Sequence, residues 1–240
     1  MTTEHQIAGN ILTKAVTLDG KKRFTEALIC YQEGLHILMG VLQNETNPEA
    51  KVKYRARISE YMSRAEKIKE YVETEKDKDS YHEQIIIEND SSGHSYATVF
   101  GRFLDSSVNE IEIDDPYVRI FHQFQNLVKF YELAVKSCSN LKSITLTTIA
   151  NGNEQDQWFD QMKVELTRFK VKMNVTYSPT LHDREIRLDN GWIIKIGRGL
   201  DYFKAPASKV AVGTFDMDLR KCHETTVDIF HKKTIRKRYG

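Results

Sequence analysis

The sequence predicts an α + α/β protein in which an antiparallel three-helix bundle precedes a mixed α/β domain. Two observations carry this prediction. Apolar residues first repeat with helical spacing, and the pattern then changes to alternating strands and helices. Between the two parts, residues 73–80 are almost wholly charged or polar. We therefore place the bundle at residues 1–78, a linker at 79–84, and the α/β domain with a basic C-terminal tail at 85–240.

Each predicted helix of the bundle has one apolar stripe. Steps of three and four residues keep apolar side chains on one face of a helix. The stripes are Ile7, Ile11, Ala15 and Leu18 in the first helix, Phe24, Leu28, Tyr31, Leu35, Leu38 and Leu42 in the second, and Tyr54, Ile58, Tyr61, Ala65, Ile68 and Val72 in the third. Short connections between such helices predict an antiparallel bundle, and a partner helix can lie in a groove between two neighbours.

The second domain is predicted from strand and helix patterns. Strands are expected at 85–87, 108–113, 144–149, 186–188, 192–196 and 210–215, and helices at 118–136 and 154–169. Asn190-Gly191 stands between two apolar runs and predicts a hairpin with a type I′ turn, which needs positive φ angles. The tail from His231 to Gly240 has no acid and five bases, namely Lys232, Lys233, Arg236, Lys237 and Arg238.

The composition argues against several classes of protein. Hydrophobic residues are 40% of the chain and charged residues 29%, which is typical of a folded globular protein. The formal net charge of +1 provides no overall field that favours nucleic acid. Cys30, Cys138 and Cys222 are isolated, which argues against a zinc site or a disulfide framework and suits a reducing cytosol. We expect no metal, no cofactor, no signal peptide and no membrane-spanning helix.

Three motifs within the helical stripes are Phe24-Thr25-Glu26-Ala27-Leu28, Tyr31-Gln32-Glu33-Gly34-Leu35 and Arg64-Ala65-Glu66-Lys67-Ile68-Lys69. Together they resemble a MIT domain, the microtubule-interacting-and-transport module, over residues 5–76. The resemblance implies a partner. In this family, the groove between the second and third helices receives a short C-terminal helix of ESCRT-III subunits, the charged multivesicular body proteins. That helix has leucines flanked by Arg and Lys.

We predict that the partner helix contacts Ile37, Val41, Met62, Ala65 and Glu66. Met62, Ile37 and Val41 lie beside the main stripes and widen the apolar surface towards the groove. Glu66 comes one turn after Met62 and is placed to pair with an Arg of the partner. Two alternatives are open. Met62 is an ordinary core residue in one, and Glu66 is a surface partner of Lys69 in the other.

His182, Arg184 and Asp189 form the pattern His-x-Arg-x₄-Asp, and on a strand the first two side chains share a face. The pattern resembles the phospholipase D signature His-x-Lys-x₄-Asp. Segments 181–203 and 222–233 are also similar to the phospholipase-D-like domains that follow MIT domains. Catalysis in that superfamily needs two His-x-Lys sets, a nucleophile and an acid. Because this chain has one set, with Arg for Lys, and no Gly-Ser-x-Asn loop, we interpret it as a degenerate site without catalytic residues.

A degenerate phosphate site can still bind phosphate, since Arg presents a fork of donors to phosphate oxygens. Five basic residues lie close in sequence around the hairpin, namely Arg184, Arg187, Lys195, Arg198 and Lys204. Near an acidic bilayer each contributes about 1 kcal/mol. The resemblance implies that these residues bind acidic phospholipids, phosphoinositides among them. The alternative is that they are scattered surface charges.

Three functions are open. The first is a non-enzymatic adaptor that couples ESCRT-III tails to acidic membranes. For it the resemblance implies a homodimer formed by the C-terminal domain, a cytoplasmic, peripheral membrane location at the midbody and late endosomes, and a role in cytokinetic abscission. The second is a dimeric phosphodiesterase that uses His182 and Arg184. The third is a peptide-binding module whose second domain only dimerises.

Overall fold

The structure is a computed structural model that describes residues 4–232. The chain divides into two compact units, Met1–Glu83 and Gln84–Gly240. The predicted fold class is confirmed: three helices come first, and a mixed seven-stranded sheet with further helices follows. The predicted tail residues Lys233, Arg236, Lys237 and Arg238 lie outside the described residues. None of the described helices has both the length and the apolar content that crossing a bilayer requires.

The bundle consists of α1 (Glu4–Gly20), α2 (Phe24–Asn44) and α3 (Pro48–Asp77). α3 begins where the sequence provides both a cap and a proline. The Asn47 side chain accepts hydrogen bonds from the N–H groups of Glu49 and Ala50, and Pro48 occupies the first turn, where its missing N–H costs nothing. These residues fix the start of the longest helix.

The α1 stripe differs from the predicted one. The buried residues of α1 are Ala8, Leu12, Ala15 and Leu18, whereas Ile7 is 40% exposed. The reason lies on α2, where Gly34 leaves room for a close approach. A Cβ atom at Gly34 would lie 2.7 Å from Cγ of Leu12. α1 packs against this glycine with Leu12 buried in the core and Ile11 half-buried beside it.

A hydrogen-bonded ion pair ties the three helices together. Arg64 of α3 donates from Nε and Nη2 to the two carboxylate oxygens of Asp19 in α1, at 2.7 and 2.6 Å. The Tyr31 hydroxyl of α2 donates to the same carboxylate at 3.3 Å. The hydrogen bond from Arg64 is the largest cause that lowers the pKa of Asp19. Arg64 of the MIT-like motif therefore has a structural role in this bundle.

The second unit is built on one sheet with the strand order β1-β7-β6-β5-β2-β3-β4. The strands are β1 (His82–Ile87), β2 (Glu110–Asp114), β3 (Ser143–Thr148), β4 (Lys172–Tyr177), β5 (Glu185–Leu188), β6 (Trp192–Ile196) and β7 (Thr225–His231). The helices are α4 (Tyr96–Phe100), α5 (Phe121–Ser137) and α6 (Asn153–Thr167). β2, β3 and β4 are parallel and are connected through α5 and α6, while β2, β5, β6 and β7 pair antiparallel.

One predicted boundary and one predicted strand are corrected. β1 begins at His82, so residues 82–84 of the predicted linker belong to a strand. Residues 82–84 are all polar, which is unusual in a strand. The Glu83 side chain is nevertheless buried, and it accepts a hydrogen bond from the Tyr81 hydroxyl. The predicted strand at 210–215 is wrong, because these residues form turns in a loop, and β7 is the last strand. β4, β7 and the short helix α4 were not predicted.

The predicted hairpin is confirmed, with a different turn. β5 and β6 pair antiparallel, with Arg187 opposite Ile193, which leaves a three-residue connection at 189–191. Gly191 has a φ of 103°, whereas Asn190 has no positive φ, so the turn is not type I′. The Asp189 carboxylate accepts a hydrogen bond from the N–H of Asn109 at 2.9 Å. Asp189 therefore holds the turn rather than a substrate.

Candidate functional site

Ring contacts show which side of α2 faces α3. Tyr31 lies 6.0 Å from Tyr61 and Phe24 lies 5.0 Å from Tyr71, measured between ring centroids. The earlier residue of α2 thus meets the later residue of α3, and the two helices run antiparallel. The α2–α3 groove runs beside the Tyr31–Tyr61 contact.

Met62 lies on the opposite side of α3 from Arg64, which pairs with Asp19 of α1, and this is the side towards the α2–α3 groove. It follows buried Ile58 by four residues and precedes half-buried Ala65 by three, a spacing that keeps all three side chains on one face. Met62 is 43% exposed, and Glu66 on the next turn is exposed as well. The alternative in which Met62 is an ordinary core residue therefore does not describe this bundle.

Ile37 and Val41 lie on the other side of α2. They follow Gly34 by three and seven residues, and Gly34 packs against Leu12 of α1. Ile37 and Val41 are thus half-buried towards α1, and the prediction that they line the α2–α3 groove is not supported. The α2 residues on the α3 side are Leu28, Leu35 and Met39, of which Met39 is 39% exposed. Their spacing of seven and four was visible in the sequence.

The bundle has a second cleft, between α1 and α3. Its volume is about 160 Å³, and Leu38 of α2 contributes to its lining. The remaining lining residues are His5, Gly9, Leu12, Thr13, Tyr54, Arg57 and Tyr61. The rings of His5 and Tyr54 meet edge to face across it at 5.4 Å. The cleft is therefore narrow, and it lies on a different side of α3 from Met62.

The residues of the phospholipase-D-like pattern do not converge. His182 is exposed and Arg184 is half-buried, and both lie in the segment before β5. The prediction that they share a face of a strand is therefore wrong. Pairing between β5 and β2 starts with Glu185 opposite Asp114, the last residue of β2. Asp189 follows the other end of β5, ~17 Å from Arg184 at about 3.4 Å per residue. The pattern is therefore no single site in this fold.

Arg187 is buried in an ion-pair cluster, not presented to solvent. It lies opposite Glu112 in the β2–β5 register. Its guanidinium lies 3.0 Å from Glu112 and 2.9 Å from Asp114, and it also donates to Glu185. With 7% of its surface exposed, Arg187 has no free face for a lipid. We remove it from the predicted lipid-binding set.

The other predicted basic residues lie in different environments. Lys195 is exposed on β6, with its ammonium 3.7 Å from Glu185 of the same cluster. Lys204 pairs with Asp90 at 3.0 Å. Arg184 and Arg198 come together, and both line one cavity. The five predicted basic residues therefore do not form one patch. Only Arg184 and Arg198 lie together, in the wall of a cavity.

This cavity has a volume of about 380 Å³. Its lining residues are Asp115, Tyr117, Gln123, Arg184, Gly197, Arg198 and Asp201. Asp115 follows the carboxyl end of β2, where binding sites of parallel sheets commonly lie. Gly199 has a φ of 61°, and a Cβ atom there would clash with the Asp115 carboxylate. A glycine is therefore required for the backbone to close over Asp115.

Arg184 is held in place at the cavity wall. Its guanidinium carbon lies 4.4 Å from the centroid of the Tyr117 ring, and Nη1 donates to the carbonyl of Gly197. Arg198 donates from Nε to the carbonyl of Glu224 at 3.2 Å. Each guanidinium has five N–H donors, so both keep donors for a ligand oxygen.

Asp201 is held by the first turns of α5. It accepts hydrogen bonds from Gln123 and Asn126 at 3.1 and 3.0 Å, and Nε2 of His122 lies 3.2 Å from the same carboxylate. Two carboxylates and two guanidinium groups thus line the cavity. Their charges balance when both acids are ionised, which makes binding of an anion depend on the protonation of Asp115.

Burial raises the pKa of Asp115 to about 6. The nearby charge of Asp201 acts in the same direction as burial, whereas the N–H groups of Tyr117 and Leu200 and the charge of Arg184 oppose the shift. Below that pH the cavity gains one unit of positive charge.

We expect the free energy of unfolding to fall as pH rises from 4 to 7. The folded-state pKa of about 6 exceeds the ordinary value of 3.8, so the folded protein holds the proton longer than the unfolded chain. The contribution is on the order of 3 kcal/mol. Urea unfolding at several pH values should show this slope reduced in Asp115→Asn and kept in Asp160→Asn, a change on the exposed face of α6. Parallel profiles for all three proteins would contradict the assignment.

Asp115, Tyr117, Gln123 and Asp201 are the cavity residues that sequence reasoning missed. The available signal was the acidic pair Asp114-Asp115 at the predicted carboxyl end of a parallel strand. Successive residues of an extended chain point to opposite faces, so Asp114 enters the Arg187 cluster while Asp115 faces the cavity. No histidine, cysteine or serine is among the lining residues of the cavity.

Comparisons with known proteins agree with this two-part organisation. Residues 6–70 match the MIT (microtubule interacting and transport) domain. Residues 93–231 match the family described as a phospholipase D-like domain at the C-terminus of MIT. MIT domain-containing protein 1 of Mus musculus is 43% identical over 231 residues, which cover 95% of this chain and 93% of the mouse protein. The chain therefore belongs to the family of MIT domain-containing proteins in which a phospholipase D-like domain follows the helical bundle.

Proposed function

We propose that this protein is a non-enzymatic adaptor that couples the C-terminal helices of ESCRT-III subunits to acidic membranes. The observation that carries the proposal is the exposed apolar row beside the α2–α3 contact. Met62 on α3 and Met39 on α2 are 43% and 39% exposed, and half-buried Ala65 and Leu28 extend the row. Flexible methionine side chains adapt well to the leucines of a partner helix.

Glu66 supports the orientation of the partner. It is exposed one turn after Met62, where an Arg or Lys beside the partner's leucines can reach it. A solvent-exposed ion pair adds little affinity, so Glu66 sets register more than strength. The same row takes a leucine-bearing helix with basic flanks in preference to an acidic one.

The C-terminal domain supplies the membrane half of the proposal. Arg184 and Arg198 present guanidinium donors to a cavity large enough for a phosphorylated head group, phosphoinositides included. In this proposal the protein acts as a homodimer formed by the C-terminal domain. It is cytoplasmic and binds membranes peripherally, at the midbody and at late endosomes, during cytokinetic abscission.

The cavity chemistry favours binding over hydrolysis. Phosphodiester transfer by this superfamily uses a histidine nucleophile and a histidine acid. His182 is exposed before β5 and does not line the cavity. Hydrolysis of phosphatidylcholine, cardiolipin or DNA that disappears in His182→Ala would establish the phosphodiesterase alternative instead.

We expect the purified protein to sediment with vesicles of phosphatidylcholine and phosphatidylserine, and more with added phosphoinositide. Changing both Arg184 and Arg198 to Ala should weaken this binding at least about tenfold, because each basic residue near an acidic surface contributes about 1 kcal/mol. Arg168→Ala, at the exposed end of α6, is the matched control. Failure of the unchanged protein to sediment would leave the bundle as a peptide-binding module with a second domain that only dimerises.

A further inference from the structure

Residues 204–221 form a closed loop between β6 and β7, here called the 204–221 loop. An antiparallel bridge between Phe203 and Cys222 closes its base, together with a hydrogen bond from the N–H of Lys204 to the carbonyl of Lys221 at 2.9 Å. Within the loop, the Arg220 guanidinium donates to the carbonyls of Gly213 and Thr214. Gly213 allows this fold with a φ of 87°. The loop is thus organised by its own hydrogen bonds.

Its outer part carries three large apolar side chains with almost no cover. Val210, Val212 and Phe215 are 93%, 86% and 91% exposed. Single exposed apolar residues are ordinary on a protein surface, but three within six positions at these values mark a contact surface. Since the loop is held in shape without burying them, its fold serves to present them.

The charges around these side chains bear on which partner covers them. Residues 202–215 contain no acid and two lysines, of which Lys204 pairs with Asp90 and Lys209 lies next to Val210 in sequence. Of the two acids that follow, Asp218 is engaged at the base of the loop, whereas Asp216 is exposed next to Phe215. Asp218 accepts hydrogen bonds from the N–H of Ser95 and the hydroxyl of Thr98, both at 2.9 Å, and Asp216 accepts one from the N–H of Asp218 at 3.0 Å.

We propose that the 204–221 loop inserts Val210, Val212 and Phe215 into the acyl boundary of an anionic bilayer, while Lys209 stays among the lipid phosphates. Apolar side chains partition into this boundary, and lysine reaches back to the head groups along its own stem. A second copy of the chain fits less well, because a symmetric contact would bring Lys209 close to its own equivalent. This inference rests on the proposed membrane binding and names the surface that performs it.

Phe215→Asp and Val212→Asp test the loop directly. Both side chains are so exposed that their replacement leaves the packing of the domain unchanged. We expect each change to lower partitioning onto phosphatidylcholine–phosphatidylserine vesicles at least tenfold. Phe169→Asp is the matched control, because Phe169 is 60% exposed at the end of α6, and its partitioning should stay within twofold.

A second readout reports depth. With Phe215→Trp, the fluorescence added to that of Trp158 and Trp192 should shift to the blue on addition of the vesicles, and Phe169→Trp should show no shift. If Phe215→Asp sediments as much as the unchanged protein, the loop does not insert into the bilayer, although the protein still binds membranes. No sedimentation of the unchanged protein would overturn both. A dimer in lipid-free solution that dissociates in Phe215→Asp would show that a second copy covers the loop.

Discussion

Met62→Asp is expected to abolish measurable binding of ESCRT-III tail peptides to the bundle. Met62 lies 43% exposed between Ile58 and Ala65 on the α2 side of α3, where an apolar partner side chain would cover it. A carboxylate there loses the apolar contact and is desolvated without a partner. Central contacts of this kind are worth about 2 kcal/mol or more, which is roughly a thirtyfold change in affinity. Isothermal calorimetry with synthetic tail helices measures it.

Val52→Asp is the matched control, because Val52 is 65% exposed in the first turns of the same helix and lies outside the row. Its affinity for the peptides should match that of the unchanged bundle, and circular dichroism should show equal helix content in all three proteins. Unaltered binding by Met62→Asp, together with loss of binding in Thr13→Arg, would place the peptide in the α1–α3 cleft instead.

Arg187→Met should destabilise the C-terminal domain by about 3–5 kcal/mol, since removal of one partner leaves buried carboxylates without a counter-charge. Arg187 is 7% exposed, and its guanidinium lies 2.9 Å from Asp114, whose own side chain is almost fully buried. Methionine fills much of the same volume, so the loss reports the charge rather than a cavity. Urea unfolding followed through Trp192, which is buried on the neighbouring β6, measures the change.

Lys195→Met provides the comparison within the same cluster. Lys195 is exposed and lies 3.7 Å from Glu185, so its loss should cost at most about 1 kcal/mol. If both variants lost the same small amount, Arg187 would be a surface charge after all. A large loss of stability in Arg187→Met, with unchanged vesicle binding at temperatures where the domain is folded, would show that Arg187 stabilises the domain and does not bind lipid.

Local patterns predicted the elements well where one segment contains all the information. The stripes of α2 and α3 share one apolar face each, and Tyr31, Ile58, Ile68 and Val72 are all buried as expected. The Asn190-Gly191 signal located the β5–β6 hairpin. The apolar residues at 210–215 led to a wrong prediction of a strand. No neighbouring strand pairs with them, and β-branched residues alone do not make a strand.

The candidate sites depended on more than one segment. Ile37 and Met39 differ by two positions, and which of them faces α3 is decided by the packing of Gly34 against Leu12. The cavity joins Asp115, Arg184 and Asp201 from three distant parts of the chain. The periodicity of a single helix or strand cannot predict that such residues lie together.

The sequence by itself determined that three amphipathic helices precede an α/β domain, because hydrophobic periodicity is a property of each segment alone. Only the tertiary structure decided that Arg187 is enclosed by carboxylates while Arg184 and Arg198 face a cavity. All three are arginines within a stretch of fifteen residues, and their environments differ because burial and charge are set by the neighbouring strands and helices.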